Sequence, residues 1–146
     1  MILSGEAYFD VVKDKSAPFI VRTESGNIEV LGTEFNIKCY SDETALVTTL
    51  VNGKVKFDDG INPSVILKPE EQLIFEKENS QSIVRKVNVN HYISWKDNRL
   101  SFQGETLDMI MKTLSRWYNV EVVFEDSTLK ALEFSGNLDR FTDIQE

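Results

Sequence analysis

The sequence has few residues of the types and spacing that bond-making chemistry or metal binding requires. It contains a single histidine, His91, and a single cysteine, Cys39, far apart along the chain. A zinc site needs clustered thiolate or imidazole ligands, and a hydrolase nucleophile of the G-x-S-x-G type is missing from the sequence. We therefore predict neither a zinc site nor a Ser-His-Asp relay, and we interpret Cys39 as a small apolar residue on a strand.

The carboxylates are also better explained by structure than by chemistry. Residues 58–62, DDGIN, begin like a calcium loop, but Pro63 stands where an EF-hand needs glycine and no glutamate closes the loop. Glu105 and Asp108 suit the start of a helix, where the macrodipole favours negative charge. Four further carboxylates are interpreted as a solvated face: Glu70, Glu71, Glu76 and Glu78. The sequence thus predicts a protein that is not an enzyme and has no metal or other cofactor.

The composition is that of folded domains with an acidic surface. The 146 residues are 41% hydrophobic and 10% aromatic, which favours one domain or two small ones over disorder. The net charge of −8 opposes binding to phosphate backbones, so nucleic acid is not expected as a partner. No apolar run is long enough to span a bilayer.

The clearest periodic segment is residues 100–124, in which the hydrophobic pattern changes from strand to helix and back. Residues 100–102 alternate, and residues 120–124 alternate again. Between them, Thr106 is a predicted N-cap and Asn119 a residue suited to a left-handed helix end. One apolar helix face is formed by Leu107, Ile110, Met111, Leu114, Trp117 and Tyr118. This pattern predicts a small α+β domain of βαβ type.

Residues 1–90 carry strand signals only. Short alternating segments are separated by turns about every 8–12 residues, which is typical of an all-β sandwich or a solenoid. Asn52-Gly53 predicts a two-residue hairpin, because both residues tolerate positive φ. Gly32 interrupts an alternation and predicts a bulge or a bend.

Residues 90–98, NHYISWKDN, break the strand pattern, and we place a domain boundary there. The predicted fold is an all-β N-terminal domain over residues 1–90, followed by a small α+β domain over residues 91–146. Thr142 and Gln145 match a capping box for a further helix. Since the sequence stops within the first turn of that helix, we expect the second domain to be truncated.

Several segments resemble one known family. The first set is LSGEAYFDV (3–11), PFIVRT (18–23), VLGTEFNI (30–37), TLVNGKV (49–55) and LKPEEQ (67–72). The second runs from Trp95 to Phe124 and is followed by Phe134-Ser135-Gly136. In this order they resemble the FecR family of transmembrane anti-sigma factors, most closely its Bacteroidetes members. The second set is similar to the short domain of secretins and TonB-dependent receptors.

The resemblance implies a periplasmic, signal-sensing part of a single-pass inner-membrane protein. Such proteins relay a signal from the signalling domain of an outer-membrane TonB-dependent transporter to an ECF sigma factor and so regulate transcription. The resemblance places sigma-factor binding and the membrane helix in segments that this sequence does not match. In this family the β-domain usually begins upstream of the segment that matches residues 5–9, so the resemblance also implies that the N-terminus is trimmed.

If the chain works by docking, its function lies in exposed sheet edges that can accept a partner strand. The candidate edges are residues 120–124 and 131–136, and the candidate partner-binding residues are Val123 and Phe134, for which a core position is the alternative. A rival hypothesis is a carbohydrate- or polymer-binding β-module of the cell envelope, with Tyr8, Tyr40 and Tyr92 as candidate platforms. A structural assembly role, as in secretin rings, is a further alternative, and the sequence leaves the oligomeric state open.

Overall fold

The computed structural model describes residues 1–140, so the predicted capping box at Thr142 and Gln145 lies outside the described residues. The chain is rich in β structure and separates into two units, Met1–Ile93 and Ser94–Glu146. The division after Ile93 lies within residues 90–98, the segment where the boundary was predicted, and the helix α1 (Val89–Ile93) before it lies beside the first unit's sheet. The predicted strand signal at Val89 is therefore wrong.

Within residues 1–93, nine strands form two antiparallel sheets. In spatial order, the larger sheet contains β1 (Gly5–Val11), β4 (Thr33–Cys39), β5 (Ala45–Asn52), β8 (Glu71–Glu76) and β9 (Gln81–Lys86). The smaller sheet contains β2 (Phe19–Thr23), β3 (Gly26–Val30), β6 (Val55–Asp58) and β7 (Val65–Leu67). Consecutive hairpins thus alternate between the sheets.

The two sheets share one hydrophobic core, as expected from the alternation of apolar and polar residues along each strand. The ring centroids of Phe57 and Phe75 lie 5.1 Å apart, and those of Phe9 and Phe19 lie 5.9 Å apart, which joins the two sheets across the core. Cys39 is buried among these side chains, and burial raises the pKa of its thiol. The arrangement is a sandwich and not a solenoid.

One of the two turn predictions for this unit needs correction. Asn52-Gly53 does not close a hairpin, because β5 and β6 belong to different sheets. The positive φ of Gly53, 96°, instead lets the chain cross between the sheets close to the carbonyl oxygen of Gly32. Gly32 lies in a bend between β3 and β4, which confirms the prediction of a bulge or a bend, and a register shift follows at Glu34 and Phe35.

The second unit contains β10 (Arg99–Thr106), α2 (Leu107–Tyr118) and β11 (Glu133–Asp139), with 3₁₀ helices at Ser94–Asp97 and Ser127–Ala131. β10 and β11 pair antiparallel, so the strands that flank α2 are not the parallel pair of a βαβ unit. The predicted strand at 120–124 is absent, and that segment has no strand assignment. Trp95 packs against the small core of this unit.

Candidate functional site

The helix α2 organises the C-terminal unit. Its side chain Ile110 is buried, and Leu114 and Trp117 on the same face are half-buried. They pack with Leu100 and Phe102 of β10, which are also buried. The apolar stripe predicted from the sequence therefore covers one face of the short sheet.

The two ends of α2 differ in how they are capped. Thr106 occupies the N-cap position with extended backbone, φ −68° and ψ 148°, but its side chain makes no capping hydrogen bond, so the predicted role of its hydroxyl is wrong. Asn119 adopts the left-handed conformation, φ 52° and ψ 49°, and its backbone N–H donates to the carbonyl oxygen of Ser115. This confirms the prediction for Asn119.

The strand β11 forms an open sheet edge. All seven of its residues are exposed, and β10 is its pairing neighbour among residues 1–140. Phe134, 48% exposed, lies opposite Glu105, and Leu138, 48% exposed, lies opposite Leu100. An exposed edge presents unpaired backbone groups, which are a template for another strand.

The segment 120–124 forms a second open stretch of backbone. Val122 and Phe124 are half-buried, whereas Glu121 and Val123 are exposed, so the side chains alternate as on a strand. Within residues 1–140, the backbone groups of 121–124 make no backbone hydrogen bond. The alternation that predicted a strand is thus present, but the ladder partner that would make it one is missing from the described part of the chain.

A groove of about 560 Å³ runs between α2 and this segment. Its walls include Met111 and Ser115 on the helix and Val122 and Phe124 on the segment. The Lys130 ammonium lies 5.3 Å from the centroid of the Phe124 ring, a cation–π distance. The groove is thus part apolar and part charged.

Hydrogen bonds and ion pairs hold the loops beside the groove. Asp108 lies 3.0 Å from the Lys112 ammonium and 4.0 Å from that of Lys130. Asp126 accepts from the hydroxyl and the backbone N–H of Thr128, and these bonds lower the pKa of its carboxyl. These contacts stabilise the 3₁₀ helix that leads into β11.

The structure places the two predicted partner-binding residues on different elements of this unit. Val123 is 79% exposed on the open segment, and Phe134 lies on the β11 edge, so neither occupies the core position that was the alternative. Their role in binding stays a prediction. Leu138 was missed, although it continues the alternation of Phe134 and Gly136. Exposed Val120 was also missed as a candidate, although its segment was proposed as an edge.

No arrangement for metal binding or membrane crossing is found in the described residues. Residues 1–140 contain no group of three His, Cys, Asp or Glu side chains placed to hold a metal ion. No helix in the same range is long and apolar enough to span a bilayer.

The aromatic side chains of residues 1–140 do not form an exposed platform for sugars. Phe134 is the one exposed aromatic residue in that range. The Tyr8 hydroxyl donates to Glu34 at 3.4 Å, and the Tyr92 hydroxyl accepts from Arg85 at 3.1 Å. The three candidate tyrosines are half-buried on separate elements, which gives the carbohydrate-binding hypothesis no geometric support.

Comparison with protein families identifies the chain. Residues 1–56 match the family model described as FecR protein, and residues 99–146 match the model described as FecR, C-terminal. The chain belongs to the FecR family. This is a regulatory family, whose members are not typically enzymes. A comparison with curated protein sequences gives no match.

Solved structures agree with the FecR assignment. Two crystal structures of a candidate anti-sigma factor from Parabacteroides distasonis ATCC 8503 superpose with TM-scores of 0.88 and 0.82, at 28% and 29% sequence identity. Each match covers 97% of this chain and 66% of the other. The FecR chain described here therefore spans just under two thirds of the length of the proteins it resembles.

Proposed function

We propose that this FecR chain is a periplasmic, signal-sensing part of an anti-sigma factor anchored in the inner membrane. In this proposal it docks on the signalling domain of an outer-membrane TonB-dependent receptor. Control of the ECF sigma factor, and so of transcription, passes through a cytoplasmic segment outside this sequence. The chain acts by binding and catalyses no reaction.

The observation that carries this proposal is the open backbone of the C-terminal unit. An exposed strand edge can accept a partner strand, with main-chain hydrogen bonds giving affinity and alternate side chains giving specificity. β11 and the segment 121–124 both present such backbone, and each displays an exposed apolar side chain, Phe134 or Val123. Covering an exposed apolar side chain on binding removes apolar surface from water, which favours association.

Binding of the chain to the receptor's purified signalling domain tests the proposal. We expect Phe134→Ala or Val123→Ala to weaken binding about tenfold, which corresponds to about 1.4 kcal/mol and exceeds the cost of truncating most interface residues. Ile83→Ala is a matched control, because Ile83 is 51% exposed on β9 in the other unit. Equal loss of affinity in the control, or no binding by the unaltered chain, would contradict the proposal.

A proline variant distinguishes the two edges. Val123→Pro removes a backbone N–H from the segment 121–124, so it prevents a full main-chain ladder there. If the receptor strand adds to this segment, Val123→Pro should abolish binding while Phe134→Ala has the smaller effect. The reverse order of effects would assign the docking edge to β11.

A further inference from the structure

A row of polar residues crosses the outer face of the five-stranded sheet. Tyr8, Asn36, Thr49, Gln72 and Arg85 occupy paired positions on β1, β4, β5, β8 and β9. The outer face of a sandwich sheet usually faces water. Here the three middle residues Asn36, Thr49 and Gln72 are 2%, 1% and 0% exposed, so the middle of the row is buried.

The buried part of the row is joined by side-chain hydrogen bonds. The Gln72 amide donates to the Thr49 hydroxyl at 2.8 Å. The Gln72 amide oxygen accepts two bonds from the Arg85 guanidinium, at 3.1 and 2.9 Å from Nε and Nη2. Because both ends of the amide are engaged, the network fixes its orientation and holds the guanidinium in one position.

The same guanidinium reaches the helix α1. Arg85 Nη2 donates to the Tyr92 hydroxyl at 3.1 Å, and this bond is exposed to solvent. α1 is five residues long and has no buried residue, so it is too short to be stable on its own. It lies beside β5, and Ile93 at its end is the last residue of the first unit.

We propose that Arg85 and Tyr92 form a releasable latch that holds α1 on the sandwich and thereby fixes where the chain leaves this unit. The inner bonds, between Thr49, Gln72 and Arg85, are the permanent base of the latch. The outer bond to Tyr92 is the part that opens, because it is exposed and water can replace it. The latch rests on contacts within residues 1–93, and its use in signalling rests on the proposed function.

Hydrogen exchange of the intact chain tests the latch. In Tyr92→Phe we expect the amides of residues 89–93 to exchange about three- to tenfold faster, as loss of one side-chain hydrogen bond predicts for a local opening. Tyr118→Phe is the matched control, since its hydroxyl donates to the Arg140 carbonyl in the other unit. It should leave the exchange of residues 89–93 unchanged, and an equal increase in this control would overturn the proposal.

A second variant keeps the test independent of Tyr92. Arg85→Lys retains the charge but cannot donate to Gln72 and Tyr92 through one planar group. We expect faster exchange in α1 again, with the thermal midpoint of the sandwich moved by no more than a few degrees. Unchanged exchange of residues 89–93 in both variants would overturn the latch, and receptor binding, measured separately, would report on the docking proposal alone.

Discussion

The two units of the chain bury their apolar side chains to different depths. In the sandwich, Phe35, Ile37, Leu46 and other core residues are 0% exposed between two sheets. In the C-terminal unit, the most buried residue is Ile110 at 5% among those described, and the whole of β11 is exposed. The sandwich therefore has a fully enclosed core, although it also exposes apolar side chains such as Ile83, whereas the C-terminal unit has a shallower core and leaves apolar side chains and the backbone groups of 121–124 open for contacts. This difference is why we place docking in the second unit.

Truncation of core aromatic side chains should show the difference in burial between the two units most strongly. Phe57→Ala in the sandwich is expected to lower the free energy of unfolding by about 3–5 kcal/mol, because the ring is 1% exposed and contacts Phe75. Phe102→Ala in the C-terminal unit should cost about 2–3 kcal/mol, since its cluster is smaller and more open. Urea unfolding followed by far-UV circular dichroism and by tryptophan fluorescence measures both. Equal costs would contradict the comparison.

The next largest loss of stability is expected from substitution at Gly53, where the chain crosses between the two sheets. Gly53→Ala should lower the free energy of unfolding by about 2–4 kcal/mol, because a Cβ atom would lie 2.7 Å from the Gly32 carbonyl oxygen at a φ of 96°. Gly60→Ala is the control, with φ 76° and no atom within 4 Å of the added Cβ. It should cost only about 1 kcal/mol in the same urea experiment. A similar cost at both sites would mean that the crossing is not tightly constrained.

Substitutions of two adjacent threonines on β5 should change the stability of the sandwich in opposite directions. Thr49→Val should lower the free energy of unfolding by about 1–3 kcal/mol, because it leaves the buried Gln72 amide without its acceptor. The Thr48 hydroxyl is buried and has no hydrogen-bond partner among the described residues. Thr48→Val should therefore raise the free energy of unfolding by up to about 1 kcal/mol. Thermal denaturation of the two variants should give shifts of opposite sign.

The ends of α2 test the C-terminal unit with smaller effects. Asn119→Ala should cost about 1 kcal/mol, because alanine is disfavoured in the left-handed conformation that ends the helix. Thr106→Ala should cost less than about 0.5 kcal/mol, because no side-chain capping bond is lost. Trp117 lies in α2, so its fluorescence during urea unfolding reports on both variants. A larger loss for Thr106→Ala would show that its hydroxyl caps the helix in solution.

The smallest expected effect is a pH dependence in the same unit. The lowered pKa of Asp126 means that its bonds to Thr128 stabilise the fold fully above the unfolded carboxyl pKa of about 4. That contribution is lost as the pH falls through the lower folded pKa. The stability difference between the natural chain and Asp126→Asn should therefore shrink below pH 4, as measured by tryptophan fluorescence. A difference that is constant between pH 7 and pH 2 would contradict this role.

The sequence predicted the local elements better than their partners. Alternation located the strands of the sandwich, and the apolar stripe from Leu107 to Tyr118 located α2, because both patterns are set by nearby residues. Asn52-Gly53 was misassigned, since its preference for positive φ says nothing about which sheet follows it. The strand at 120–124 was misassigned because strand propensity becomes a strand only when another chain segment supplies hydrogen bonds.

For the candidate site too, the sequence predicted individual residues but not how they are arranged. Val123 and Phe134 were found as apolar residues near possible edges, and both are exposed. The groove beside α2 could not be predicted, because it depends on how the segment 120–124 lies relative to the helix. The polar row from Asn36 to Arg85 was also missed, since its members come together only through the register of four strands.

The alternation of hairpins between the two sheets has a consequence for folding of the chain during its synthesis. Neither sheet is continuous along the chain, because β2–β3 and β6–β7 belong to one and β4–β5 and β8–β9 to the other. A nascent chain halted before β8 would hold the four strands of the smaller sheet but only β1, β4 and β5 of the larger one, and the shared core would lack Leu73 and Phe75. We therefore expect the sandwich to fold late during synthesis, in one cooperative step after β9 has left the ribosome, as non-local strand pairing requires.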